Sequence, residues 1–455
     1  MRKVVIIGSS AAGMMAAIAA AGQDSEAEVT VVSSDRLSYR RPGIPALIAG
    51  HVTGPEGASI FSEKIRGRYN INAICPAEAT DINTAGRTVS ITSGQKQEKL
   101  AYDAVVIATG GHPLIPKIAG ADKKGVCTFT TYEGAAEIVE AARSASCAVV
   151  IGAGFIALEI AEALMQKALE VYFNVRSRIL RRLLEPELSE FLSAKFEQQG
   201  LKMLTGEAIS EIGGKERVEY VVHKGKRIAT GLVVMGTGVK PNVRLAEKCG
   251  IELGSTGAIK VDNSLETSVK GIYAAGDCAE SPDLDTGKFV YSPVGSTGAA
   301  AGKIAGANAA GAELQTDGFV RAQADHILGY EIFSVGHSTT TAKDVGLEVA
   351  VHDLSAGEAV RSGGTGGLFE AAKILTDAED RIVGAQLIAK KYGSQFACQL
   401  YSAVLDNEAR EEFLARFNSP RRKFGEALLC AAKSSIVVES IGESKALTLT
   451  DDSDA

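Results

Sequence analysis

The chain has no tryptophan, and aromatic residues make up only 5% of it. It therefore lacks the platforms on which single-stranded nucleic acid bases stack. It has no excess of basic residues either. The formal net charge is -7, which argues against general nucleic-acid binding through a basic surface. No apolar run reaches the roughly 20 residues of a membrane span. The N-terminus leads straight into an apolar stretch, Lys3 to Ile7, with no room for a signal peptide, so the expectation is a cytoplasmic protein. Seven cysteines occur, Cys75, Cys127, Cys147, Cys249, Cys278, Cys398 and Cys430. No two are spaced as a redox CxxC pair or a zinc knuckle. Reduced, mostly buried thiols are expected, and no metal site.

What is present is a repeated plan. The run Lys3-Val-Val-Ile-Ile-Gly-Ser-Ser-Ala-Ala-Gly13 is answered by Val149-Val-Ile-Gly-Ala-Gly-Phe-Ile-Ala-Leu-Glu159. Each is an apolar strand, a Gly-rich turn and an Ala-rich helix. A turn of this kind at a helix N-terminus cradles a pyrophosphate. Two in one chain point to two dinucleotides between which electrons pass. The alternative for either is a tight strand–helix turn with no ligand. At 455 residues with 45% hydrophobic and 23% charged content, the chain has room for two to four globular domains.

The periodicity predicts a strand over 3–7, a helix over 11–22 and a strand over 28–33, then a less regular region. A strand follows within Tyr102 to Gly111. The second unit predicts a strand from Cys147 to Ile151, a helix over about 154–167, a strand from Leu169 to Val175, and a helix opened by the charged stretch Arg176 to Glu190. Strands are also predicted at Gly231–Gly238 and Gly271–Asp277, then a Gly/Ala-rich helix from Val294 to Ala310, packed closely against backbone or cofactor. From about 316 the texture changes to a separate α+β domain. Its strands are expected at Glu331–Val335, Leu347–His352, Ala371–Leu375 and Arg381–Ile388, with helices near 394–406. The acidic tail Thr448 to Ala455 reads as frayed.

In the first turn, Gly8 makes the tight bend and Gly13 lets helix and strand pack, while the usual middle glycine is replaced within Ser9-Ser-Ala-Ala12. The acid that normally binds the adenosine ribose is also absent; Ser33 and Ser34 stand there, with Asp35 beyond. In the second turn Gly152 and Gly154 keep their places, and Ala157 takes the third. Its second strand ends without an acid and runs into Arg176, Arg178, Arg181 and Arg182. Guanidinium groups suit a 2′-phosphate, so NADPH is preferred to NADH. A solvated basic helix start is the other reading.

These motifs, taken in order with Ile107-Ala-Thr-Gly110, Gly236-Thr-Gly-Val-Lys-Pro-Asn242 and the Tyr-Ala-Ala-Gly-Asp ending at Asp277, resemble the FAD-dependent pyridine nucleotide–disulfide oxidoreductases, in particular their coenzyme A disulfide reductase and NADH oxidase branch. The resemblance spans nearly the whole chain. It implies an α/β fold of two Rossmann-like domains, an FAD domain (1–111 and 241–315) and an NAD(P) domain inserted in it (112–240), plus a C-terminal α+β domain (316–455) that forms a homodimer. It places Gly8, Ser10, Ala11 and Gly13 at the FAD pyrophosphate, Thr109 and Gly110 near the flavin nucleotide, and Asp277 on the ribityl chain. Ser33 and Ser34 fall at the ribose. Gly152, Gly154, Phe155, Ile156, Gly238, Arg176 and Arg182 line the NADP or NAD site. Glu159 matches the helix acid beside the nicotinamide; its bland alternative is a first-turn acid complementing the helix dipole.

One departure stands out. The branch carries its redox cysteine in a segment shaped Ser-Phe-x-x-Cys-Gly-x-Pro, and this chain reads Ser38-Tyr-Arg-Arg-Pro-Gly-Ile-Pro45. Proline at 42 forms no thiolate, sulfenic acid or mixed disulfide. The C-terminal His-Pro-Thr motif of the dithiol enzymes is replaced by Asn418-Ser-Pro420. Arg40 and Arg41 bring charge near the expected flavin, either to attract an anionic acceptor and stabilise reduced flavin, or to meet FAD phosphates or surface acids. His51 and His112 have no partner pattern and read as ordinary. The expectation is hydride transfer from NAD(P)H to FAD and on to oxygen, a small acceptor or a carrier protein. The alternatives are a ferredoxin- or rubredoxin-type reductase, or a non-catalytic flavoprotein-fold subunit.

Overall fold

Runs of Val, Ile and Ala with no polar residue bury both faces of a strand, so such strands are expected at the centre of a parallel sheet. The computed structural model, which describes residues 1–35, 43–52, 63–354, 369–390 and 393–417, places them there. Lys3–Ile7 lies at the middle of a five-stranded sheet ordered Ile272–Ala274, Ala104–Ile107, Lys3–Ile7, Glu28–Val32, Asn72–Ile74. Every pairing in it is parallel. Cys147–Gly152 takes the equivalent place in a second parallel sheet, ordered Lys202–Thr205, Glu170–Val175, Cys147–Gly152, Leu232–Gly236, Val126–Thr128. Val4, Ile6, Val149 and Val150 are fully buried. In both sheets the leading strand has its successor on one side and a later strand on the other. That is the switch point at which open α/β sheets bind ligands.

Each sheet carries a three-stranded antiparallel meander between its later strands. One comprises Glu78–Asn83, Thr88–Ser93 and Lys96–Ala101; the other Glu211–Gly213, Tyr220–His223 and Lys226–Ala229. The first replaces the irregular region expected before Tyr102. The helices Ala11–Gln23 and Phe155–Gln166 follow the Gly turns as expected. The helix expected to open at Arg176 instead begins at Pro186 and runs to Gln198. Proline suits the first helical position, and Leu180 upstream, at φ +50°, is incompatible with a right-handed helix. The basic run is therefore a loop, not a solvated helix start.

The chain divides into two compact units, Met1–Arg181 with Pro186–Phe319, and Arg182–Glu185 with the residues from Val320 onward. The second holds a five-stranded antiparallel sheet ordered Ala322–Ile327, Tyr330–Gly336, Ile382–Ala389, Ala371–Thr376, Ala350–Asp353. The strand expected from Leu347 starts only at Ala350, because the short helix Thr339–Val345 ends on a left-handed Gly346 at φ +72°. Helix Gly393–Leu405 is present as expected, and Phe396, Leu400 and Val404 are buried in this unit's core. Arg40, Arg41, Pro42, Cys430, the segment Asn418 to Lys423 and the acidic tail lie outside the described residues.

The strap Arg182–Glu185 is held in the second unit by a buried carboxylate. Glu185 Oε1 accepts from the Thr339 N–H (2.9 Å) and from Gln386 Nε2 (3.2 Å), Oε2 accepts from the Thr339 hydroxyl (2.7 Å), and the Glu185 N–H donates to Gln386 Oε1 (2.6 Å). Gln386 is fully buried. Gln386→Leu removes two of these bonds and leaves buried polar groups unmet, a loss of about 1–3 kcal/mol. Denaturant unfolding of the variant is expected to show a lower midpoint at unchanged slope.

Candidate functional site

Gly8 follows the first strand at φ +112°, and a Cβ there would lie 2.1 Å from the Ala108 carbonyl oxygen. A Cβ on Gly13 would lie 2.0 Å from the Gly8 carbonyl oxygen. Both positions are closed to any side chain by backbone, and this draws the helix start down onto the sheet edge. Ser10 is the N-cap of Ala11–Gln23 in extended conformation; its side chain makes no capping bond, and the first turn carries no acid. The leading N–H groups have no intrahelical partner, and the positive helix end carries no acid of its own. Ala11 stands at the start of this helix. Ser9 is buried and donates from Oγ to Ser33 Oγ (2.8 Å), which also accepts from the Asp35 N–H (3.3 Å). With its oxygen taken by two donors, Ser33 offers an O–H where an acid would offer an acceptor. Ser34 is exposed beside it.

The second turn repeats the device with different closures. A Cβ on Gly152 would meet the Gly236 carbonyl oxygen at 2.3 Å and the Ala157 Cβ at 2.7 Å, whereas Gly154, the N-cap, has nothing within 4 Å. Phe155 is half-buried and Ile156 is exposed at the helix start. Glu159 is half-buried in the second turn of the helix, and the first turn contains no acid, so the first-turn reading of Glu159 is corrected. Asn174 is buried, donating to the Leu204 and Glu207 carbonyls and accepting from the Ile209 N–H. It shapes the strand end and has no N–H donor left for a ribose. The loop beyond folds back on the turn through Leu180 N–H to the Ala153 carbonyl (2.6 Å). Of its arginines, Arg178 donates to the Arg181 carbonyl and Ser189 Oγ, and Arg182 pairs with Asp344 at 2.7 Å. Arg176 is exposed with no ion pair among the described residues.

The helix Gly295–Ala309 runs alongside Ala11–Gln23. A Cβ on Gly302 would strike the Ala12 carbonyl oxygen at 2.2 Å, one on Gly306 the Ala16 carbonyl oxygen at 2.1 Å, and Gly298 lies against Gly276. The small residues expected to pack on backbone or cofactor thus pack on backbone. The two helices point the same way, and Gly295 precedes Gly302 by about 10 Å of helix, so the second helix overhangs the Gly8 turn. The Ser292 and Thr297 hydroxyls at that overhang are buried without a hydrogen-bond partner among the described residues. Asp277 sits half-buried in the turn after Ile272–Ala274, at the same sheet edge, with no helix following it. A Gly-closed turn, an uncapped helix end and orphaned hydroxyls at one edge fit an extended ligand bearing a diphosphate and a polar heterocycle, as FAD is.

The thiols with perturbed acidity here are shifted away from reactivity. Burial pushes Cys127 up to about 11, and pushes Cys147, Cys249 and the fully buried Cys278 up as well. A thiol raised by apolar burial is inert rather than nucleophilic. Of the described cysteines, expected to be mostly buried, Cys127, Cys147 and Cys278 are buried, Cys249 and Cys398 are half-buried, and Cys75 is exposed.

One feature escaped the sequence reading. The stretches after the two sheets, Gly111–Pro113 and Val239–Pro241, pair as an antiparallel ribbon. The Thr109 hydroxyl donates to the Asn242 carbonyl (2.7 Å) and the Thr237 hydroxyl to the Leu114 carbonyl. Gly238, at φ +103°, leads into this ribbon with open space around it among the described residues, and Gly110, at φ +67°, leads into the other strand. The signal was available in the repeat Ala108-Thr-Gly110 and Gly236-Thr-Gly238.

Residues 2–310 match the family described as pyridine nucleotide-disulphide oxidoreductase. An NADH oxidase of Methanocaldococcus jannaschii is 29% identical over 416 residues, 90% of this chain and 92% of that one. A CoA-dependent NAD(P)H sulfur oxidoreductase of Pyrococcus furiosus is 33% identical over 352 residues, 76% of this chain and 79% of the other. Among solved structures, a NAD-dependent persulfide reductase from A. fulgidus superposes with a TM-score of 0.81 at 30% identity, covering 90% of this chain and 78% of that one. No helix among the described residues is long and apolar enough to cross a membrane. The chain belongs to the pyridine nucleotide-disulphide oxidoreductases and is an FAD-dependent NAD(P)H oxidoreductase.

Proposed function

We propose that this enzyme is an NADPH-preferring oxidase or reductase of a small acceptor that stores a single electron pair and uses no cysteine relay. The observation that carries this is the residue at the relay position: Pro42 stands in the cysteine slot. The pKa values of Cys127, Cys147, Cys249 and Cys278, all raised by burial, leave no substitute among them. The chemistry that FAD would supply when bound is that of a hydride acceptor and electron donor.

The chain's own residues bind and orient. Gly8, Ser10, Ala11 and Gly13 present backbone N–H groups to the FAD diphosphate, with Ser33 and Ser34 at the ribose, Thr109 and Gly110 near the flavin nucleotide, and Asp277 accepting from ribityl hydroxyls. Gly152, Gly154, Phe155, Ile156 and Gly238 shape the pyridine nucleotide site, Arg176 meets the 2′-phosphate, and Glu159 flanks the nicotinamide. Arg40 and Arg41 supply positive charge for an anionic acceptor. Residues 1–111 with 241–315 form the FAD domain, 112–240 the NAD(P) domain and 316–455 a homodimerisation domain, in a cytoplasmic enzyme. Oxygen or a small molecule is preferred over an acidic carrier protein, since a net charge of -7 disfavours such docking.

Anaerobic titration with NADPH tests the single-pair reading: reduction is expected to end at one equivalent per FAD. Uptake of a second equivalent, with a long-wavelength thiolate-to-flavin absorption, overturns it. Stopped-flow reoxidation with oxygen, quinones, disulfides, polysulfide and carrier proteins then identifies the acceptor.

A further inference from the structure

The chain crosses between its two parallel sheets twice, and both crossings start at a cofactor turn. One leaves Ala104–Ile107 through Ala108, whose carbonyl closes on Gly8. The other leaves Leu232–Gly236, whose last carbonyl closes on Gly152. Any shift of one crossing along the other therefore displaces one dinucleotide turn relative to its counterpart.

The ribbon that joins them is short and poor in backbone bonds. Its pairs are Val239 with Pro113, Lys240 with His112 and Pro241 with Gly111. Two of these six residues are prolines and donate no N–H. An isolated two-stranded ribbon is marginal in water even with a full ladder. Beyond the paired residues, the Leu114 N–H donates to the Gly238 carbonyl and the Asn242 N–H to the Gly110 carbonyl, each at 2.9 Å. The two threonine hydroxyls complete this. Thr109 reaches across to the Asn242 carbonyl at one end, and Thr237 to the Leu114 carbonyl at the other. Gly111 keeps the strands close, for a Cβ there would come within 2.8 Å of the Lys240 carbonyl oxygen and 3.3 Å of the Val239 Cβ.

We propose that Thr237 and Thr109 are paired positioning residues, whose hydroxyls lock the two crossings in register and so fix the distance from nicotinamide to flavin. The inference rests on the reading that the Gly8 and Gly152 turns hold FAD and NAD(P)H. Hydride transfer is steep in distance, and a displacement of about 1 Å at the reacting atoms costs up to about a hundredfold in rate. Thr109 is itself assigned to the flavin side, so Thr237 is the clean probe.

Thr237→Val preserves shape and removes the donor. The variant is expected to keep wild-type FAD content and NADPH dissociation constant, while flavin reduction in the stopped flow slows at least about tenfold. The nicotinamide-to-flavin charge-transfer absorbance should weaken in parallel. Thr237→Ser, which keeps the hydroxyl, should restore both. A purely structural role would lower the melting temperature and leave reduction rate and charge-transfer band unchanged; that result overturns the lock. Should Thr237→Val fail to fold, Gly111→Ala decides, since it pushes the same strands apart: slowed reduction with intact binding supports the lock, wild-type reduction refutes it. Failure of the wild-type protein to bind FAD or to be reduced by NAD(P)H would instead sink the site assignment, which separates the two.

Discussion

Gly13→Ala is expected to yield a protein purified without flavin colour. The added methyl would sit 2.0 Å from the Gly8 carbonyl oxygen, 2.8 Å from its carbon and 3.4 Å from the Ala108 Cβ. The first two are backbone atoms of a turn already bent to φ +112°, so no flexible side chain can swing aside. Overpacking a tight site costs about 1–3 kcal/mol and sometimes more. Here the strain is relieved only by lifting helix Ala11–Gln23 off the sheet, which takes its N–H groups away from the diphosphate. Flavin absorbance per mole of folded protein should fall at least about tenfold, the equivalent of about 1.4 kcal/mol in binding. Gly154→Ala is the contrast. Its Cβ would meet nothing within 4 Å at φ -94°, so the variant should stay yellow. A Gly13→Ala protein with full flavin occupancy would show that the Gly8 turn does not hold the cofactor.

The parts of this molecule that were legible in the sequence are those where one physical demand dominates. Val4–Ile7 and Cys147–Gly152 have no charged residue to expose and are buried throughout, so only the middle of a covered parallel sheet accommodates them. Gly8, Gly13 and Gly152 are glycines because backbone oxygens occupy the Cβ position, and their spacing carries that constraint into the sequence. The meanders were illegible because a half-exposed strand such as Lys96–Ala101 has few buried positions, and its composition is that of a loop. The basic run at 176–182 has the charge of a helix start, but its path is set by buried Ile179 and Leu180 and by the left-handed Leu180. Pairing across long sequence separation hid the rest. Nothing local in the Arg182 sequence announces Asp344, and nothing in Thr237 announces Leu114. Internal repetition was the one long-range signal, and it reached the turns before it reached the threonines that follow them.

That same distinction between a loop and a helix start makes nucleotide preference testable at a single residue. Arg176→Ala is expected to lower kcat/KM for NADPH about tenfold to a hundredfold, and to leave NADH within about twofold. A charge-assisted hydrogen bond contributes about 1.5–3 kcal/mol, and the 2′-phosphate is the only group by which the two nucleotides differ. Arg176 is exposed beyond the strand end and makes no ion pair among the described residues. Arg178 is occupied by the Arg181 carbonyl and Ser189. Arg182 already pairs with Asp344, and both side chains are about half exposed, so that pair is worth at most about 1 kcal/mol. Arg182→Ala should therefore change the NADPH to NADH ratio less than threefold, although its charge is the same. Arg176→Asp should go further and invert the preference, since a carboxylate there repels the 2′-phosphate and can accept from the ribose hydroxyls of NADH. Steady-state kinetics with both nucleotides on the three variants settle the matter. Equal losses for NADPH and NADH in Arg176→Ala would assign the arginine to the fold of the loop, and a larger loss in Arg182→Ala would move the phosphate site to Arg182.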